Sequence, residues 1–179
     1  MSGPIPIGSG RAPKAHFLGI DPRLLEACSR STIEGLEMSD VNPRPIGASR
    51  LVTGAREISV LVSLYGSHSG TVYLNLSRQA AFFLVSRMLD ETLDELSEDL
   101  LDCVSEIGNI VAGRFKDLLR EEPYGIQTIS LPALVFGASH SLYHARGLLT
   151  AAVTFEIPEM PMHLMQDRFI STSIALMRR

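Results

Sequence analysis

Residues 58 to 76 run Ile58-Ser59-Val60-Leu61-Val62-Ser63-Leu64-Tyr65-Gly66-Ser67-His68-Ser69-Gly70-Thr71-Val72-Tyr73-Leu74-Asn75-Leu76. Ile58, Val60, Val62 and Leu64 alternate with other residues, Gly66 to Gly70 interrupts, and Val72, Leu74 and Leu76 alternate again. A period of two sends successive side chains to opposite faces of an extended chain, so each run buries one face as a strand. With Ile46 as its start, segment 46 to 76 is expected to form an antiparallel meander of about three strands.

The text on either side is helical. Asp21 followed by Pro22 suits an N-cap and first helical position, and opens a helix to about Glu37 with Leu25, Cys28, Thr32, Ile33 and Leu36 inward. Asn42-Pro43 lies beyond its end. Ser77 caps a second helix over about 78 to 89, an acidic segment follows from Asp90 to Glu95, and Ser97 caps a long third helix to about Arg120. Pro123-Tyr124-Gly125 breaks the chain, after which residues 126 to 136 and 148 to 157 return to β-branched and aromatic text, with a shortened hairpin expected between Gly137 and Gly147. Helix, strands, helices, strands is the order of an α+β domain, in which long helices cover one face of a mainly antiparallel sheet.

At 179 residues and 45% hydrophobic content, the chain supports one substantial core. That core is expected in residues 21 to 158. Residues 1 to 20 carry Gly3, Pro4, Pro6, Gly8, Gly10 and Pro13 and read as an N-terminal extension. Residues 159 to 179, rich in Met, Leu and Ile, read as a C-terminal apolar extension, helical, docked on this chain or a neighbour. A net charge of -4 supplies no basic field for a phosphate backbone, so nucleic acid is not an expected partner. No stretch approaches the ~18 apolar residues of a membrane span and no secretory leader is legible, so no membrane partner and a cytoplasmic location are expected. Cys28 and Cys103 sit within helical patterns and read as reduced core residues.

The third helix carries the chemistry. With Asp102 at zero and ~100° per residue, Leu100, Val104, Ile107, Val111, Phe115 and Leu118 fall between about 140° and 220°, a core-facing arc. On the other side, Asp102, Glu106, Asn109, Gly113 and Lys116 lie within about 40° of zero and form one outward stripe. Glu106 and Asn109, three residues apart, share a ridge and are able to touch one small target together. A neutral amide holds and aims a water by donating one hydrogen bond and accepting another, which suits hydrolysis of an acyl phosphate. A carboxylate repels phosphoryl oxygens, so Glu106 is expected to clamp a lysine or other cation on a partner. Against this stands the ordinary fact that soluble helices show acids and amides to water.

The spacing shifts that balance. Asp102, three residues, Glu106, two residues, Asn109, twenty-two residues and Pro132 resemble the signature of the CheX/CheC/FliY phosphatases, an Asp or Ser, Glu, Asn and Pro at those intervals. The Glu106-Ile107-Gly108-Asn109 run resembles the CheX branch, over about residues 22 to 157. The resemblance implies a CheX/CheC-like fold and a phosphatase acting on the phosphoaspartate of a CheY-like response regulator. Glu106 and Asn109 would be the catalytic pair, and Asp102, Gly113, Lys116 and Pro132 would lie at the partner surface. It implies no cofactor or metal of the chain's own, with Mg2+ on the phosphorylated receiver domain. It implies a homodimer paired through its sheets. Members with two sites carry a second Glu-x-x-Asn on the first helix, where this chain has Glu34-Gly35-Leu36-Glu37, so a single site is expected. The alternative is a non-catalytic adaptor that binds a response regulator or flagellar switch component through the same scaffold.

Gly108, near about 240°, flanks the core arc and is expected to let the helix approach the sheet, whereas Gly113 leaves room on the polar stripe. Pro132 in strand-like text marks an edge, bulge or strand end and is expected to shape the floor beside Asn109. His140 and His144 share a helical metal spacing, but in extended text four residues span about 13 Å, so a shared metal is not expected. Ser139 and Ser141 lack a nucleophile elbow or triad order beside them. Deleting residues 1 to 18 is expected to leave the cooperative thermal melt and the activity unchanged, as circular dichroism and phosphate release would record.

Overall fold

The computed structural model describes residues 19–50, 56–137 and 147–178. In chain order, the elements are α1 (Pro22–Gly35), β1 (Arg44–Ser49), β2 (Ile58–Gly66), β3 (His68–Leu76), α2 (Arg78–Leu89), α3 (Glu98–Leu118), β4 (Ile126–Ile129), β5 (Ala133–Phe136), β6 (Leu149–Glu156) and β7 (Phe169–Arg178). The fold is α+β: seven antiparallel strands in one sheet, ordered β1-β6-β7-β3-β2-β4, with β5 also paired to β2.

The helix starts follow the capping residues. Asp21 accepts from Arg23 N at 2.8 Å, Ser77 Oγ from Ala80 N at 3.1 Å, and Ser97 Oγ from Leu100 N at 3.2 Å. Each satisfies an amide that no helical carbonyl reaches. The alternation in β2 and β3 resolves as read. Ile58, Val60, Val62, Leu64, Val72, Leu74 and Leu76 are buried, and they pair in register from Ile58 with Leu76 to Leu64 with Gly70.

Four expectations are corrected. Segment 46 to 76 is not a meander: β1 pairs with β6 at the far edge, and β6, β7 and β3 lie between it and β2. Pro45 and Gly47 bracket a register shift in β1, whose residues are mostly exposed, the features of a blunted edge strand. The C-terminal segment is not helical. Phe169–Arg178 is the longest strand, central in the sheet, with Ile170, Thr172, Ile174 and Leu176 buried; residues 162–164 make one 3-10 turn. On α1, Leu24, Ala27, Cys28, Ser31, Thr32 and Gly35 are buried, while Ile33 is 38% exposed rather than inward. The expected N-terminal extension of residues 1 to 20 ends within the core, since Ile20 is buried there; residues 1–18, the expected hairpin between Gly137 and Gly147, and Ser139, His140, Ser141 and His144 lie outside the described residues.

The layers are held close by two glycines. A Cβ on Gly108 would lie 2.3 Å from Val60 Cγ1, and one on Gly35 would lie 2.4 Å from Val111 Cγ2. The first seats α3 on β2 and the second seats α1 on α3. α1 runs antiparallel to α3, since Tyr124 Oη, beyond the end of α3, donates to Asp21 Oδ2 at 2.6 Å and Arg23 Nη1 to Glu122 O at 3.2 Å. Burial, then the bond to Asp21, pushes the Tyr124 phenol pKa upward. Among the described residues no helix is long and apolar enough to cross a membrane. Because Val60 is β-branched and buried, Gly108→Ala should cost about 1–3 kcal/mol through overpacking. Chemical denaturation should show Val60→Ala recovering part of that loss in the double variant. Gly113→Ala, with nothing within 4 Å of its Cβ position, should be neutral or stabilising by up to about 1 kcal/mol.

Candidate functional site

α3 divides its surface as the sequence requires. Leu100, Val104, Ile107, Gly108, Val111, Ala112 and Phe115 are buried, while Asp102 and Glu106 are exposed and Asn109, Gly113 and Lys116 half-buried. The candidate stripe therefore stands outward on one rigid helix. Glu98 and Asp99 in its first turn oppose the positive helix end. Ser105 Oγ is occupied, donating to Leu101 O at 2.8 Å.

The flanks of the stripe are unlike. On the α1 side, Arg114 Nε pairs with Glu34 Oε2 at 3.4 Å, and Glu34 also pairs with Arg30 at 3.4 Å. Glu34, in the segment comparable to a second site, is thus engaged in an interhelix ion pair. Lys116 is drawn to Asp117 at 3.5 Å, an exposed pair worth little in stability. Cys103 is half-buried on α3, and burial, followed by Asp99 and Asp102, raises its thiol pKa. Cys28 is fully buried and its thiol is raised by burial; neither is an activated nucleophile.

On the other flank lies the sheet edge. β4 and β5 form one interrupted strand along β2: Ile129 pairs with Leu64 and Ala133 with Leu61. Ser130 N donates to Ser63 O at 2.9 Å and Ser63 N to Ser130 Oγ at 2.9 Å, so Leu131 and Pro132 together oppose Val62 alone. This is a β-bulge, and Pro132 sits in it as the sequence anticipates. Two tie points align α3 with β2: Gly108 lies over Val60, and Ile126 N donates to Leu119 O at 3.0 Å while Ile126 pairs with Gly66. Advancing four helical residues, about 6 Å, from Gly108 matches two strand residues, about 6.7 Å, from Val60. The bulge opposite Val62 is therefore level with the turn from Asn109 to Gly113. Sequence reasoning marked Pro132 but missed Leu131, which the bulge leaves 87% exposed. The signal available was a leucine immediately before a proline in an edge strand. Among the described residues no group of three or more His, Cys, Asp or Glu side chains is placed to hold a metal.

The profile of the family described as Chemotaxis phosphatase CheX matches residues 58–156. No curated protein matches the sequence. Among solved structures, a chemotaxis protein from Desulfovibrio vulgaris Hildenborough is similar at 18% identity and TM-score 0.74, over 88% of this chain and 99% of that one. CheX from Borrelia burgdorferi, solved in a complex with CheY, BeF3 and Mg2+, is similar at 22% identity and TM-score 0.69, over 88% and 98% of the two chains. A chain of the FliG-FliM complex from Helicobacter pylori is more distant, at 14% identity and TM-score 0.59 over 87% and 94%. These likenesses place the fold in the CheX/CheC class. The chain belongs to the chemotaxis phosphatase CheX family.

Proposed function

We propose that this protein hydrolyses the phosphoaspartate of a CheY-like response regulator in the cytoplasm, with Asn109 positioning the attacking water and Glu106 docking the regulator. The observation that carries the reading is the pair itself: Glu106 and Asn109 lie one helical step apart on the outward ridge of α3, at the positions of the family signature. The CheY partner in the Borrelia burgdorferi complex supports the choice of substrate class.

The chemistry asks little acid–base work of this chain. Water attacks phosphorus in line with the aspartyl oxygen, the bond from phosphorus to that oxygen breaks, and the carboxylate leaves with the electron pair. A carboxylate is a good leaving group, so no general acid is required. The Asn109 amide oxygen would accept a hydrogen bond from the water and so fix the direction of its oxygen, while the proton lost on attack leaves with the released phosphate or to bulk water. Mg2+ held by the regulator neutralises charge on the phosphoryl oxygens. Glu106, exposed, is free to clamp a cation on the regulator, while Asp102, Gly113, Lys116 and Pro132 border the contact.

A second reading has its own support in the likeness to the FliG-FliM chain: a scaffold that binds a regulator or flagellar switch component without catalysis. Phosphate release from a phosphorylated receiver domain separates the two. Asn109→Ala should reduce the accelerated rate by about a hundredfold or more while affinity for a beryllofluoride-activated receiver is largely kept. Glu106→Ala should lose about tenfold in both affinity and kcat/KM, since a charged hydrogen bond is made before and during the reaction. Neither change should move the melting temperature. A wild type that binds the activated receiver without speeding release would establish the adaptor instead.

We also expect a homodimer. Among the described residues the sheet ends at β1 on one side and at β4 with β5 on the other, and a sheet edge is a surface on which a second copy is able to pair. Light scattering at micromolar concentration should give about twice the 19.6 kDa chain mass; a monomeric mass would exclude it.

A further inference from the structure

Leu131 has no reason in the fold to be where it is. At 87% exposure it is the most exposed of the large hydrophobic side chains among the described residues, and it contributes nothing to the core. Yet its backbone is firmly set. Ser130 on its N-terminal side is bonded to Ser63 through both backbone and side chain, and Ser130 Oγ donates to Leu131 O at 2.7 Å. Pro132 on the other side fixes its own φ and restricts the conformation of Leu131. An isolated exposed leucine is ordinary; one immobilised at a bulge beside a candidate site is a prepared contact.

The register fixes which side it occupies. Ile129 and Leu134 pair with Leu64 and Val60, whose side chains face the helices, while Ser130 and Ala133 pair with the opposite set, Ser63 and Leu61. The two bulge residues between them share the position opposite Val62, which is buried and by alternation lies on the same side as Val60 and Leu64, and so share its helix-bearing side. Leu131 therefore stands level with the Asn109–Gly113 turn, on the flank away from α1. A partner domain that engages the α3 ridge and also overhangs this flank would meet it.

We propose that Leu131 is a positioning residue, an apolar anchor that the bulge at Ser130–Pro132 presents to the phosphorylated receiver domain and that sets the receiver's approach angle to Asn109. The anchor rests on the phosphatase reading of α3 and adds the second wall of its docking surface: a polar ridge, Glu106 to Lys116, on one side, and a rigid leucine on the other. Its counterpart on the receiver is an apolar depression beside the phosphorylated aspartate. Because Ser130 and Pro132 already hold the backbone, little ordering entropy is lost on contact.

The test is steady-state phosphate release from a CheY receiver domain charged with acetyl phosphate, together with affinity for the same receiver carrying beryllofluoride and Mg2+. Leu131→Ala should raise KM and Kd about tenfold, as expected for a leucine buried against a partner, with kcat within about twofold. Leu131→Glu should raise them further, and Leu131→Met should restore near wild-type values. The melting temperature should not move in any of the three. That split is opposite to Asn109→Ala, which loses kcat and keeps affinity. If Leu131→Glu binds and turns over like the wild type while Asn109→Ala is inactive, the anchor is refuted and the phosphatase reading stands. If wild type neither binds nor accelerates, both fall. If Leu131→Glu instead halves the mass in light scattering with Kd unchanged, Leu131 belongs to self-association and the anchor is likewise refuted.

Discussion

The absence of a side chain at Gly108 is the constraint on which the rest depends. With α3 pressed onto Val60 of β2, the helix sits low over the outer strands of the sheet, and along the strand direction its Asn109–Gly113 turn corresponds to the bulge in the edge formed by β4 and β5. Gly35 repeats the device one layer out, letting α1 close on Val111. Each glycine costs about 1 kcal/mol of helix propensity, and each is offset by apolar surface that a raised helix would leave wet.

What the sequence revealed and concealed follows from the range of the signals. The helices were legible because their caps and periods are local: Asp21-Pro22, Ser77 and Ser97 sit where the structure begins its helices, and the outward set on α3 follows from 3.6-residue geometry alone. Strand partners are not local. Nothing in Arg44 to Ser49 says that the pairing partner is β6, more than a hundred residues on, so a meander was the natural guess. The C-terminal strand was concealed by its neighbours, since Met160, Met162, Leu164 and Met165 suggested a helix, while the alternation of Ile170, Thr172, Ile174 and Leu176 begins only afterwards. The candidate stripe was fully legible; the bulge opposite Val62 was not, because counting the residues of one strand against another requires the pairing first.

Charge along the stripe is polarised, acidic up to Glu106, with Arg114 and Lys116 towards its C-terminal end. From residue 88 to 113 the chain holds Asp90, Glu91, Asp94, Glu95, Glu98, Asp99, Asp102 and Glu106 and no lysine or arginine. Such a field disfavours free phosphate at the ridge and favours a cationic protein surface, within a screening length of about 8 Å at physiological salt. On the phosphatase reading, the same field assists departure of the inorganic phosphate once the bond to aspartate is broken.

The ridge is convex, and this bears on what substrate suits it. Small-molecule enzymes enclose their substrates in concave sites that exclude water. One cavity among the described residues, of about 170 Å³ and lined by Glu57, Ile58, Arg78, Leu96, Phe136 and Gly137, includes no residue of α3. Glu106 and Asn109 stand instead on the outside of a helix, where neither excludes water from anything unaided. A site of this shape becomes concave only when another macromolecule supplies the missing walls, along with the metal and the phosphoryl group. On the proposed reading, the chain then contributes what a partner cannot build for itself, the Asn109 amide on a rigid helix. The seat of that helix on the sheet is set by the close approach of Gly108 to Val60.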